Sequence, residues 1–376
     1  MKILRVAQKV YPEVTGGGPY HVHAMSRDQA AMGHNVTVLT VSDEVEEVSH
    51  QNKAGYTLVK HPATVSPLGN DISLPLARTL WNEYGYDVIH AHSHMYFSTN
   101  LAALRRRLGS PPLAITNHGL YSQNAPRAIF GLYLRTAGIW TFNSGDLVFC
   151  YTEEGMRRAR KFGVKSDIEI VANGIDQQRF TSNGERSAEI DPDRPSVLCV
   201  VRLVEGKRPK DAIEAIEGVI DDHPSVVLYL CGEGPLRENL EGYIRREGIE
   251  DHVVFLGNVD YDEMPKLYRS CDVVILPSEA EAGSPRVLLE AMASEKPYVT
   301  SELYQVTSLI KDLGKTAPVG DIDSLAEGLD ELLSDEELRN DLGIKGREMV
   351  EEQFTWESTV DGATEALERL VRREKR

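Results

Sequence analysis

Four stretches of this chain combine residue types that chemistry needs. Gly16-Gly17-Gly18 stands before Pro19, between an apolar run and a helical one. Glycines let a backbone approach a ligand closely, and a helix start offers free N–H groups to an anion. Arg202 and Lys207 directly follow the apolar run 197–201. Two cations at the end of a strand can hold a diphosphate, the arginine as a planar fork and the lysine as a point charge. In the stretch 279–293, Gly283, Ser284 and Pro285 form a tight loop that feeds a helix starting at Pro285. Further along that helix, the Glu290 carboxylate can accept two hydroxyls of a ribose. His118, in Thr116-Asn117-His118-Gly119, ends a strand and directs its imidazole at a cleft. Each feature also has an ordinary counterpart: a flexible turn, a solvated basic turn continued by Arg208 and Lys210, a salt-bridged helical glutamate, a satisfied histidine.

Two further clusters have metal-site spacing. His90-Ala91-His92-Ser93-His94 alternates, and as a strand it would put three imidazoles on one face. No nearby Asp, Glu or Cys completes the set. Asp321-Ile322-Asp323 precedes a helical run, where aspartate is the expected cap. No metal site is expected.

Strand-like runs at 2–7, 35–41, 87–91, 113–116, 146–150 and 168–171 alternate with helical stretches such as 19–33, and the rhythm restarts at 197–201, 226–231, 253–256 and 273–276. Such alternation predicts parallel sheets covered on both faces. The expected fold is α/β, with two Rossmann-like doubly wound domains facing across a cleft. Residues 181–195 are polar, proline-bearing and aperiodic, and read as a linker. The expected division is 1–180, the linker 181–195, a second domain 196–353, and a C-terminal helix 354–376 packing back on the first domain. Ligands of doubly wound sheets sit at the carboxyl ends of the strands.

Composition narrows the functions. The chain has 376 residues, 41% of them hydrophobic, and 58 acidic against 41 basic residues, a net charge of -17. That balance excludes wholesale disorder and argues against a nucleic-acid partner, whose phosphates need neutralising. No apolar run reaches the 18 residues of a membrane span, and the first ten residues lack a signal-peptide plan. Cys150, Cys199, Cys231 and Cys271 are far apart and mostly lie in apolar runs, which reads as reduced core cysteines of a cytoplasmic protein.

Taken in order, the motifs resemble the retaining glycosyltransferases of family 4, which have the GT-B fold. The resemblance spans nearly the whole chain. It runs through Gly16-Gly17, His21-Val22 and Gly33-His34 to the strand Asp87-Val88-Ile89-His90-Ala91-His92 and to Asn173-Gly174-Ile175-Asp176 with Phe180. It continues in Arg202-Leu203-Val204 with Lys207, Gly232-Glu233-Gly234-Pro235-Leu236, Val254-Phe255-Leu256-Gly257, Pro277-Ser278 and Leu289-Glu290-Ala291-Met292-Ala293. The resemblance implies that Gly16 and Gly17 lie against the donor phosphate or the acceptor, and that His118 contacts the transferred sugar. It implies that Arg202 and Lys207 hold the donor diphosphate, that Glu290 holds the ribose, and that Leu256 lies near the base. Backbone groups of Ser284, Pro285, Arg286 and Val287, beside Gly283, contact sugar and phosphate. It implies no cofactor and no metal, with a nucleotide-diphosphate sugar as donor.

This sequence departs from the family at two places. The family has two glutamates eight positions apart; eight before Glu290 stands Ala282, and Glu281 substitutes only if the loop bulges. The usual Gly-Gly ahead of the last helices is replaced by the stretch 301–308. The acceptor is expected to be a glycan or a lipid-linked sugar. The apolar run 125–142, with Arg127 and Arg135, and the basic clusters 105–107 and 157–161 would suit peripheral contact with the inner face of an anionic membrane. The same run also reads as an ordinary core helix. Two other functions fit the motifs: a nucleotide-sugar epimerase on the same fold, and a sugar-nucleotide-binding relative without catalysis, for which Ala282 speaks.

Overall fold

The computed structural model describes every residue except Thr15, Ser110 and residues 121–126, 282–284 and 304–309, with Arg127 described in its backbone only. The chain forms two compact units, one of Met1–Ala172 with Ser358–Arg376 and the other of Asn173–Glu357. Residues 173–195 therefore group with the second unit. Arg269 gathers this stretch by donating to the carbonyls of Thr181, Glu185 and Arg179 at 2.9, 3.0 and 3.1 Å. The Asp191 amide donates to the Tyr229 hydroxyl at 3.0 Å. A polar, aperiodic sequence is thus fastened by side-chain bonds to carbonyls, which periodicity does not register.

The first unit holds an eight-stranded sheet in the order β3-β4-β2-β1-β5-β6-β7-β8. Its strands are β1 (Lys2–Val6), β2 (Asn35–Ser42), β3 (Ser49–Lys53), β4 (Tyr56–Pro62), β5 (Val88–His92), β6 (Leu113–Thr116), β7 (Leu147–Cys150) and β8 (Asp167–Ile170). All neighbours are parallel except β3 against β4. Central strands are apolar on both faces because helices cover both. One layer packs Leu4, Leu39, Ile89, Ile115 and Phe142. The other packs Ile3, Val22, Val36 and Val38 against Ala366, Leu367 and Leu370 of the helix Trp356–Glu374.

The second unit holds a six-stranded sheet in the order β11-β10-β9-β12-β13-β14, parallel throughout. Its strands are β9 (Ser196–Val200), β10 (Val227–Cys231), β11 (Val253–Gly257), β12 (Val273–Leu276), β13 (Tyr298–Ser301) and β14 (Lys315–Ala317). Leu198, Leu228, Leu230, Val274 and Ile275 are fully buried within it. The architecture is the expected α/β pair of doubly wound parallel-sheet domains. All four cysteines are free and buried.

Both sheets reverse strand order once. In the first, the chain runs outward from β1 on one side and returns to place β5 on the other. In the second, β9 and β12 make the same reversal. Such a switch point leaves a crevice at the carboxyl ends of the two strands. Gly16, Gly17 and His92 lie at the first, and Arg202 and Glu281 follow the strands of the second.

Candidate functional site

In the second unit, the loop after β9 is held by the turn after β10. The Leu203 amide donates to the Glu233 carbonyl at 3.0 Å and the Leu236 amide to the Leu203 carbonyl at 3.1 Å. A Cβ on Gly232 would fall 2.0 Å from the Val201 carbonyl oxygen, and one on Gly234 2.4 Å from that of Leu203. Gly232 also has a φ of 134°, which side chains rarely adopt. These two glycines let the chain lie directly against the segment that carries Arg202, which is exposed.

Lys207 ends a short 3-10 turn, Glu205–Lys207, and forms an ion pair with Glu281. Their side chains are only 13% and 15% exposed, so water screens the pair weakly. The Glu279 amide donates to the Gly206 carbonyl at 3.1 Å, joining the loops after β12 and β9. Glu281 thus reaches the cation assigned to the diphosphate. Ala282, Gly283 and Ser284 lie outside the described residues. Pro285 caps the helix Arg286–Ala293, leaving the amides of Arg286 and Val287 at its N-terminus.

Glu290 is 4% exposed and accepts the hydroxyls of Tyr261 and Tyr268, each at 2.9 Å. Burial raises its pKa, opposed by Arg286 and the two hydroxyls. Arg286 donates to the Tyr261 oxygen at 2.6 Å, and the Arg179 guanidinium lies 4.5 Å from the centre of the Tyr261 ring. The carboxylate is therefore engaged by the protein itself. Leu256, in β11, is half-buried.

In the first unit, Gly16 caps the helix Gly17–Ala31 at φ 140°, and Gly16 and Gly17 are exposed. His118 follows β6 and is half-buried. Its Nε2 lies 3.0 Å from His92 Nδ1 and its Nδ1 lies 2.9 Å from the Tyr151 hydroxyl. The His21 ring packs edge-on at 5.6 Å. Burial lowers the His118 pKa to about 4, so the ring is neutral at physiological pH. His94 does not share a face with His90 and His92. The strand ends at His92, Ser93 turns at φ 63°, and His94 stacks on Phe142 at 4.4 Å. Among the described residues no group of three His, Cys, Asp or Glu is arranged to hold a metal ion. Asp321 is a helix cap, accepting the Ser324 amide at 3.1 Å.

The structure thus brings Lys207 to Glu281, and His118 to His92, Tyr151 and His21. Tyr151, Tyr261 and Tyr268 were not singled out from the sequence. Tyr151 had a usable signal, since it directly follows β7 as His118 follows β6. Tyr261 and Tyr268 lie 29 and 22 positions from Glu290, with no motif linking them.

Comparisons with known proteins bear on this arrangement. Residues 15–179 match the family described as Glycosyltransferase Family 4, and residues 182–349 match Glycosyl transferases group 1. The chain belongs to the glycosyltransferases of family 4. It is therefore an enzyme of the transferase class. This glycosyltransferase is 28% identical to an uncharacterised glycosyltransferase of Methanocaldococcus jannaschii over 95% of both chains. It is also 28% identical, over 81% of both chains, to a GDP-mannose-dependent alpha-(1-6)-phosphatidylinositol monomannoside mannosyltransferase of Mycobacterium tuberculosis. Among solved structures it resembles Anabaena HepE, in complex with UDP and glucose, with a TM-score of 0.80 at 19% identity over 98% of this chain and 99% of that one. The fold of this glycosyltransferase is GT-B.

Proposed function

We propose that this glycosyltransferase moves a sugar from a nucleotide-diphosphate sugar to an acceptor hydroxyl with retention of anomeric configuration and without a divalent metal. The observation that carries the reading is the pair of cations, Arg202 and Lys207, on one loop at the carboxyl end of β9, with Glu281 at Lys207. Departure of the nucleotide develops negative charge on its terminal phosphate. Preorganised cations and a helix N-terminus stabilise that charge without reorganisation. Arg202 forks onto the phosphates, and Lys207, held in place by Glu281, neutralises the leaving oxygen. Pro285, Arg286 and Val287, with Gly283 and Ser284, contact sugar and phosphate, and Gly16 and Gly17 admit the phosphate or the acceptor closely. Leu256 lies at the base. Glu290 takes the ribose hydroxyls in place of Tyr261, and His118 contacts the transferred sugar.

The acceptor attacks the face that the phosphate leaves, and the departing phosphate oxygen takes the acceptor proton. The new glycosidic bond forms as the old one breaks, and no carboxylate nucleophile is needed. A relative that depends on GDP-mannose and a structural neighbour in complex with UDP-glucose support a nucleotide-sugar donor.

A lipid-linked acceptor and peripheral membrane contact are part of the proposal. In the first unit the helix Arg127–Tyr133 runs through a π-helical turn, Leu134–Gly138, into Ile139–Phe142. Ile129, Leu132 and Trp140 are 54%, 67% and 42% exposed on it, while Phe130 and Phe142 are buried. Exposed apolar side chains beside Arg135 suit an anionic lipid surface. Among the described residues no helix is long and apolar enough to cross a membrane.

Calorimetric titration with UDP-, GDP- and ADP-sugars, in EDTA and then with magnesium, tests the donor reading. One nucleotide class should bind with equal affinity in both conditions. Binding only with magnesium would remove the metal-free part, and no binding of any class would remove the donor site.

A further inference from the structure

We propose that His92 and Tyr151 are positioning residues for His118, and that the Arg5 guanidinium sealed beneath them keeps this histidine column uncharged. The functional half of this inference rests on the reading that the transferred sugar lies at His118.

Arg5 is fully buried in β1, and the side chains that accept from it are neutral. It donates to Ser26 Oγ at 2.6 Å, to Gln29 Oε1 at 2.6 Å and to His90 Nδ1 at 3.2 Å. A guanidinium has no lone pair to offer, so His90 Nδ1 must be the acceptor. The His90 proton is then on Nε2, which donates to Thr116 Oγ1 at 2.8 Å. A second proton on His90 would set N–H against N–H. Arg5 therefore fixes both the charge and the tautomer of His90.

The column continues outward. The His90 and His92 rings lie 4.5 Å apart, inclined by 34°. His92 Nδ1 and His118 Nε2 share one proton at 3.0 Å, so one of the two rings must be the acceptor there. Tyr151 meets the remaining nitrogen of His118 at 2.9 Å. Both nitrogens of His118 are thus fixed, from β5 and from the end of β7. Among the described residues, the charged and titratable groups facing the column are Arg5 from β1, His21 from the helix Gly17–Ala31, His118 after β6, Tyr151 after β7 and, beside Arg5, Tyr56 of β4. Burial and the Arg5 charge both push His90 and His92 well below the usual histidine range.

Glycosyl transfer gives the sugar oxocarbenium-like positive charge. An imidazolium beside it would oppose that charge. A neutral ring in one fixed orientation would not, and this is what the column supplies.

The test combines donor turnover from pH 5 to 8, with UDP-glucose and GDP-mannose as probes, and NMR titration of the imidazole nitrogens. The wild type should show no histidine limb in this range. Tyr151→Phe should lower kcat about 10-fold with KM unchanged, the mark of lost orientation. Arg5→Met should introduce an acid limb, with His90 or His92 resonances titrating between pH 5 and 7, and Arg5→Lys should restore the flat profile. If Arg5→Met does not fold, Tyr151→Phe and the wild-type imidazole titration decide. A folded Arg5→Met with a flat profile and untitrated imidazoles would overturn the role of Arg5. A Tyr151→Phe that changes KM alone would make Tyr151 a competitor of the sugar, not a positioning residue. Wild-type turnover in His118→Ala would contradict the sugar reading, while the NMR titration still decides whether the column is neutral.

Discussion

The two halves of the chain reverse strand order in the same way, β1 against β5 in one and β9 against β12 in the other, yet they fill the switch points with different electrostatics. The first half presents histidines held neutral, backed by one buried guanidinium with neutral partners. The second presents Arg202, a Lys207–Glu281 ion pair, and a buried Glu290 between two tyrosines and Arg286. Topology decides where chemistry can be placed, and side chains decide which charge is met there. A departing diphosphate develops negative charge and a sugar losing it develops positive charge.

Acid should separate the halves most strongly. His90, His92, His94 and His118 all have pKa values below the unfolded value of 6.5, the last two at about 3 and about 4. The unfolded chain then binds more protons than the folded one below pH 6.5. Each such histidine costs up to about 1.4 kcal/mol of stability per pH unit as pH falls toward its folded value. Glu290 has the opposite sign, because its raised pKa means that acid relieves a penalty in the second unit. Hydrogen exchange at pH 4.5 should show Met1–Ala172 opening before Asn173–Glu357. Simultaneous opening would erase the contrast.

Next in size is Glu290→Ala, which leaves Arg286 and two tyrosine hydroxyls without their buried acceptor. We expect a loss of about 3–5 kcal/mol in chemical denaturation. A loss below about 1 kcal/mol would show that the network is slack. Gly232→Ala should cost about 2 kcal/mol through strain and the Val201 contact, and should lower turnover by moving Arg202. Unchanged turnover would detach Arg202 from the loop that holds it. The smallest effect on the fold is expected from Ile129→Asp with Leu132→Asp. Stability should hold while sedimentation with anionic vesicles is lost, and retained sedimentation would remove the membrane contact.

Much of the scaffold was legible. Buried parallel strands read as apolar runs, so β5, β6, β9 and β12 lay within a residue or so of their expected places. Tyr56–Pro62 and Tyr298–Ser301 escaped although buried, because polar residues interrupt their apolar runs; Ser49–Lys53 escaped because an edge strand reading Ser-His-Gln-Asn-Lys carries no apolar signal, and Lys315–Ala317 because it is three residues long. The positions of Arg202, Lys207 and His118 were legible as residues that follow strands, and that of Glu290 as a residue within a helix. Their partners were not, because Tyr151 meets His118, and Tyr261 and Tyr268 meet Glu290, through long-range packing. Nor did the sequence alone explain Gly232 and Gly234, whose necessity lies in a carbonyl more than thirty residues away.

The central claim is that fixed cations in the second half stabilise the departing diphosphate. Its most direct test is single-turnover consumption of a bound nucleotide sugar by Lys207→Ala and by wild type, both in EDTA. The account predicts a fall of about 10²–10³ in the rate of the chemical step, with the donor still bound. An unchanged rate in the variant would contradict it.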